Sequence, residues 1–219
     1  MRNATLAALN RVLVGAAVLL VLKVTLSVVV GYRAYLPPNF NSDFLLGRES
    51  YFFGPYSWAF YAHLVSGPAS LVFGTILVSD RFRQAAPRWH RRLGKLQIGN
   101  VLLLVVPSGL WMAWYAATGA VAAAGLGFLA IVTAICATAG WRAAVARRFD
   151  DHRRWMWRTY ILLCSAVVIR MIGGLATVLQ VDAEWVYPLS CWVSWLGPLV
   201  IFESMRLLEV PPAPIPARS

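Results

Sequence analysis

Val12-Leu13-Val14-Gly15-Ala16-Ala17-Val18-Leu19-Leu20-Val21-Leu22-Lys23-Val24-Thr25-Leu26-Ser27-Val28-Val29-Val30-Gly31-Tyr32 holds 21 residues and a single charge, Lys23. A helix of that length rises roughly 30 Å, the thickness of a bilayer's hydrocarbon core. A barrel strand would need only about 10 residues of alternating polarity, which this run lacks. The run also lacks a small-residue cleavage site after a short apolar core, so it reads as a retained helix and not a signal peptide. Five more apolar stretches follow at about 58–79, 96–115, 121–141, 156–181 and 188–208. The expected fold is all-α: an integral membrane bundle of six transmembrane helices in one domain over 1–219, with a proline-rich tail at 211–219.

Composition agrees. The 219 residues are 59% hydrophobic and 13% charged, with a mean hydropathy of +0.64. Soluble domains are about 25% charged. A water-soluble globule, a disordered chain and a collagen-like repeat are all excluded. The formal charge of +11 would suggest nucleic acid in a soluble protein. In a membrane protein it points instead to loops facing anionic lipid, so the expected partners are the bilayer and its acidic headgroups, with no nucleic acid.

The basic residues orient the chain. Fourteen of the 20 Lys and Arg fall before the first stretch, after the last, or in the second-to-third and fourth-to-fifth connections, and Arg158 and Arg206, within one turn of the same ends, make sixteen on that side. Arg33 and Arg48 are the two on the opposite side. The positive-inside rule then places both termini in the cytoplasm. Trp89, Trp141, Trp155 and Trp157 mark the inner boundary, and Trp58, Trp114 and Trp185 the outer one. Pro37 and Pro38 break the chain after the first helix. The aromatic run Tyr51, Phe52, Phe53 and Tyr56 is expected to fold over the outer end. Cys136, Cys164 and Cys191 lie in apolar stretches without a Cys-x-x-Cys motif, so no metal site is expected.

Polar side chains within the spans are the candidate functional residues, because lipid offers them no hydrogen-bond partner. Arg88-Trp89-His90-Arg91-Arg92 opens the third span and Asp151-His152-Arg153-Arg154-Trp155 the fifth. Eighteen residues are five helical turns. His90 therefore shares a face with Ser108, with Gln97 between, and His152 with Arg170, with Thr159 between. Both stripes should face inward, with His90 and His152 on neighbouring helices. His63 lies in the second span above Gly67, Ser70 and Gly74. Arg170, about 21 Å beyond Met156, should reach the depth of His63 and face a cavity, with Ser66, Ser70 or a ligand oxygen as partner. Lys23 sits near the middle of the first span, and Glu203 in the last is a candidate i+3 partner for Arg206.

These segments resemble the bacterial membrane-protein family called domain of unknown function 2306. His90-Arg91 with Gly94 matches its His-Arg-x-x-Gly motif. His152 through Trp155-Met156, Arg158 and Tyr160 to Ile169-Arg170 matches a second motif, with Thr159 where that family carries Ser. Glu203 matches a late Glu and His63 an early His. The resemblance runs from about Trp58 to Glu203, implies a multi-span helical fold in a bacterial inner membrane, and implies no activity.

Three classes of function remain. A redox-associated protein would hold a b-type haem or a quinone in the bundle. His90 and His152 would then be axial ligands with Arg91 and Arg153 on the propionates, or His63 and Arg170 would hold a quinone. A transporter or binder of a small anion or lipid-like molecule would use Lys23 and Arg170, with Pro68, Pro107 and Pro198 breaking helices near the site. An assembly or scaffold subunit would contact a larger membrane complex. The motifs of zinc and serine hydrolases, of phosphate-binding loops and of dinucleotide sites are absent.

Overall fold

The computed structural model describes residues 2–42, 44–116 and 118–208, with side chains from residue 9 onward except residue 10. The proline-rich tail therefore lies outside the described residues. The elements in chain order are α1 (Arg2–Gly31), α2 (Glu49–Phe52), α3 (Pro55–Leu77), α4 (Asp80–Ala85), α5 (Pro87–Asn100), a π-helical stretch (Val101–Val105), α6 (Val106–Trp114), α7 (Ala120–Val145), α8 (Phe149–Leu163), α9 (Ser165–Val178) and α10 (Val186–Leu207). They form six helices long and apolar enough to cross a membrane: Arg11–Ala34, Pro55–Leu77, Pro87–Trp114, Ala120–Val145, Phe149–Val178 and Val186–Leu207.

Two spans begin earlier than their apolar residues indicate. The third starts at Pro87 and the fifth at Phe149, about two turns before the expected 96 and 156. Arginine is a good helix former, and the α-helical ladder runs unbroken from Pro87 to Asn100. Each helix therefore runs through its basic turns before it meets apolar sequence. His90 and His152 consequently sit on helix and not on loop.

The interior is built from close approach. On α7, Ala122, Gly125, Ala130, Thr133, Ala137, Gly140 and Ala143 are buried, a stripe of small residues that lets neighbouring backbones come near. A Cβ on Gly125 would lie 3.0 Å from the Trp192 ring of α10, and one on Gly140 would collide with Met156 of α8. A Cβ on Gly74 of α3 would stand 2.7 Å from the Tyr160 ring, which α8 holds there through a 2.7 Å hydrogen bond between the Tyr160 and Thr75 hydroxyls.

α1 is peripheral. Its main contacts are with α3 and α9, and 11% of its apolar stretch is buried against 22–33% in the other five. One end of the bundle carries the basic turns of α4, α5 and α8. The other is roofed by the aromatic segment between α1 and α3, as expected. Leu45, Phe52, Tyr56 and Phe60 are buried there, with Tyr35, Phe40 and Phe44 packed against them.

Candidate functional site

Between the roof and the bundle centre lies a cavity of about 560 Å³. Apolar side chains of α1, α3, α6, α7 and α9 make most of its wall; His63, Arg170, Arg48, Tyr32 and Tyr187 line it too, together with several Ser and Thr hydroxyls, among them Thr25, Thr133 and Ser194. His63 stands eight residues from the aromatic end of α3, and Arg170 eight from that end of α9. Each is thus about 12 Å down its helix. Both residues line this one cavity, with Arg170 itself exposed at its edge.

The geometry at His63 originates in Pro107. Proline has no N–H to give back to the preceding turn. The helix answers with the π-helical stretch Val101–Val105, a bulge of the kind that recurs at functional sites. Its loosened carbonyls attract other donors. Ser108 Oγ donates to Leu104 O and lies 3.0 Å from His63 Nδ1. With its hydrogen committed to a carbonyl, the hydroxyl accepts from Nδ1–H. The Val105 carbonyl takes part in the same cluster. Nε2 is left as the acceptor nitrogen of the neutral ring. It lies 3.9 Å from where a Cβ on Gly67 would be, while Cε1 is 3.4 Å from one on Gly109. Two glycines thus slot the imidazole between α3 and α6, and both line the cavity.

Arg170 departs from expectation in its partner. Its Nη1 donates to Ala166 O at 2.7 Å, on its own helix. Ser66 and Ser70 are taken differently: Asn100 Nδ2 donates to Ser66 O at 3.0 Å and Gln97 Nε2 to Ser70 O at 2.9 Å. The Ser70 hydroxyl donates to Gly67 O of its own helix and the Ser66 hydroxyl is buried without a partner, so neither is bonded to Arg170. Arg170 is exposed and lines both this cavity and a groove outside it, and its charge acts on Tyr32, His63 and Tyr187.

Arg48 joins the site without having been foreseen as part of it. Counted in the sequence as a loop charge, it is buried with 7% of its surface exposed. It donates to Phe44 O, to the Tyr51 hydroxyl and to Tyr115 O at 2.6–2.9 Å, and its guanidinium lies over the Phe44 ring. It clamps the aromatic roof to the end of α6.

The basic end is organised separately. His152 Nδ1 lies 2.9 Å from Gly140 O of α7. His90 Nδ1 is buried without a hydrogen-bond partner, and the two imidazoles interact electrostatically. Arg153 is already paired, with Asp80 at 2.7 Å, so of the two arginines suggested for propionates only Arg91 lacks an ion pair among the described residues. Glu203 does meet Arg206, at 3.6 Å. Its main partner is Arg158, whose Nε and Nη2 donate to the two carboxylate oxygens at 2.6 and 3.0 Å. Arg158 also lies over the Trp155 ring. Gln97, Ser108 and Thr159 are buried, so the middle of each polar stripe faces inward, whereas Arg170 at the end of the second is exposed. Lys23 lies on the lipid-facing side of α1, in a groove with Arg170.

Six apolar helices, an aromatic roof and an apolar cavity with a few polar groups define a multi-pass integral membrane protein. Residues 60–205 match the family described as Predicted membrane protein (DUF2306), and the chain belongs to it. The match includes His63, His90, His152, Arg170 and Glu203. No curated protein and no solved structure matches the chain.

Proposed function

We propose that the protein is a redox-associated membrane protein whose cavity binds a quinone-like molecule drawn from the lipid phase. The observation that carries this reading is the opposition of His63 and Arg170 in one apolar cavity at one depth. A quinone is a flat apolar ring with polar oxygens at both ends, and such pockets combine apolar walls with a few placed polar groups. Arg170 donates to a lone pair of the oxygen at one end of the ring. His63 Nε2, with Nδ1–H committed to Ser108, accepts from an oxygen that carries a proton. A quinol hydroxyl is such a donor, so the reduced form is the one this pair of groups suits.

A b-type haem is the other redox group the histidines suggest. His63 fits it less well, since the remaining imidazoles, His90 and His152, stand at the opposite end of the bundle. The inner pair is the better haem candidate, but Arg153 is committed to Asp80. The experiment is purification in mild detergent, an oxidised and a reduced absorption spectrum, and solvent extraction of bound pigment. Co-purifying quinone without a Soret band supports the reading. A Soret band abolished by His90→Ala or His152→Ala replaces it with the haem reading. Neither pigment, together with a stoichiometric protein partner, replaces it with an assembly role.

A further inference from the structure

Outside the cavity, α1 and α9 leave a groove lined by Lys23, Val24, Ser27, Val28, Arg170 and Met171. Val24, Val28 and Arg170 also line the main cavity, so the two volumes share a wall. Lys23 stands eight residues from the end of α1 at Gly31, the same interval that separates Arg170 from the end of α9. About 12 Å of helix therefore separates each charge from the aromatic end, longer than a lysine stem can bridge by snorkelling.

Lys23 makes no hydrogen bond or ion pair among the described residues, and Arg170 has only its own-helix carbonyl. Glu203, the acid of the last span, is held by Arg158 and Arg206. Two like charges thus converge at membrane depth without a counter-charge. Even on the lenient scale each costs about 2.5–3.5 kcal/mol at a helix centre. The mutual repulsion adds to that. A ligand bringing negative charge removes both penalties.

We propose that this groove binds a membrane-dissolved amphiphile with an oxyanion head, a carboxylate or a phosphate. Its head lies between Lys23 and Arg170 and its tail along Val24 and Val28. The guanidinium fork grips two oxygens in parallel while the ammonium acts as a compact point charge, and the Ser27 hydroxyl is placed to donate a third hydrogen bond. A carboxylate on a partner's transmembrane helix has the right charge, but a helix cannot follow the wall the groove shares with the cavity, whereas a flexible chain can. Arg170 lines both volumes, so it is shared with the quinone reading, whereas Lys23 and Ser27 line the groove and not the cavity and test this site by themselves.

The test uses the full chain in nanodiscs of phosphatidylcholine, titrated with a pyrene-labelled long-chain fatty acid and with its methyl ester. The acid should bind at least tenfold tighter than the ester. Lys23→Leu and Arg170→Gln should each weaken the acid at least tenfold and leave the ester unchanged, while Lys23→Arg stays within threefold of the parent. A long-chain alkyl phosphate should compete, and inorganic phosphate should not. Lys23 lies on an exposed helix face, so its variants test the site even where Arg170→Gln fails to fold. His63→Leu should leave acid binding intact, and Lys23→Leu should leave quinol binding intact, which separates failure here from failure of the cavity reading. Equal binding of acid and ester, unaltered binding by Lys23→Leu, or competition by inorganic phosphate overturns the proposal. So does stoichiometric disulfide cross-linking of Ser27→Cys between two copies, which assigns the groove to a second copy of the chain.

Discussion

At the scale of single residues, the site depends on how each polar group is held. Ser108 spends its hydrogen on a backbone carbonyl and its lone pair on His63, so it fixes both the orientation and the tautomer of the ring. Ser108→Ala removes the hydroxyl that accepts from Nδ1–H. One hydrogen bond is worth about 1 kcal/mol, so quinol affinity should fall about fivefold with no loss of folding, read by titration of a short-tailed quinol alongside thermal unfolding. The ion pair of Arg158 and Glu203 is bidentate but partly wet, with the two side chains 19% and 39% exposed. Screening discounts such a pair, so Glu203→Gln should cost about 1 kcal/mol, read as a lower midpoint of thermal unfolding in detergent. Tighter constraint acts at Gly74, where a methyl group would meet the Tyr160 ring. Gly74→Ala should destabilise by about 1–3 kcal/mol and break the contact between the Thr75 and Tyr160 hydroxyls.

At the scale of elements, the kink before Pro107 is the feature with most consequence. The π-helical stretch turns Ser108 and Gly109 toward His63. Pro107→Ala restores an N–H and with it the regular ladder, which rotates both residues away from the imidazole. The expected outcome is unchanged or raised thermal stability together with weakened quinol binding; equal binding would show that the bulge does not position the site. The six helices could be read from the sequence because an apolar run of about 20 residues has one stable form in lipid. Their basic extensions could not, since charged residues carry no apolar signal even where they are good helix formers. The aromatic roof was legible as an apolar cluster beside helix-breaking prolines. Arg48 was not legible as buried, because its anchor at Tyr115 lies 67 residues away. The same holds for Arg158, 45 residues from Glu203. His63 and Arg170 could be placed at one depth by counting turns, but the partner of Arg170 could not, because spacing does not say whether a guanidinium reaches a facing helix or turns back to its own preceding turn, as it does to Ala166 O.

At the scale of the whole molecule, charge and shape divide the bundle into two ends. Basic turns gather around His90 and His152, and the aromatic roof closes the other end over the cavity. The positive-inside rule assigns the basic end to the cytoplasm. Cysteines introduced at Ser42 and at Ala85 should accordingly label from opposite faces of the membrane, Ala85 only from the cytoplasmic one; labelling of both from one face would contradict the topology. The cavity lies below the roof and beside α1, the least embedded of the six helices, so exchange with lipid is expected to pass that helix and not the roof. The account rests on His63 and Arg170 acting together on one ligand in that cavity. The direct measurement is titration of a short-tailed quinol, kept reduced under anaerobic conditions, into the purified protein and into His63→Leu, Arg170→Gln and the double variant. The account predicts saturable binding to the parent, a loss of tenfold or more in each single variant, and a double variant that loses less than the sum of the two. Binding unchanged in both single variants, or no binding to the parent under conditions where it remains folded, would contradict it.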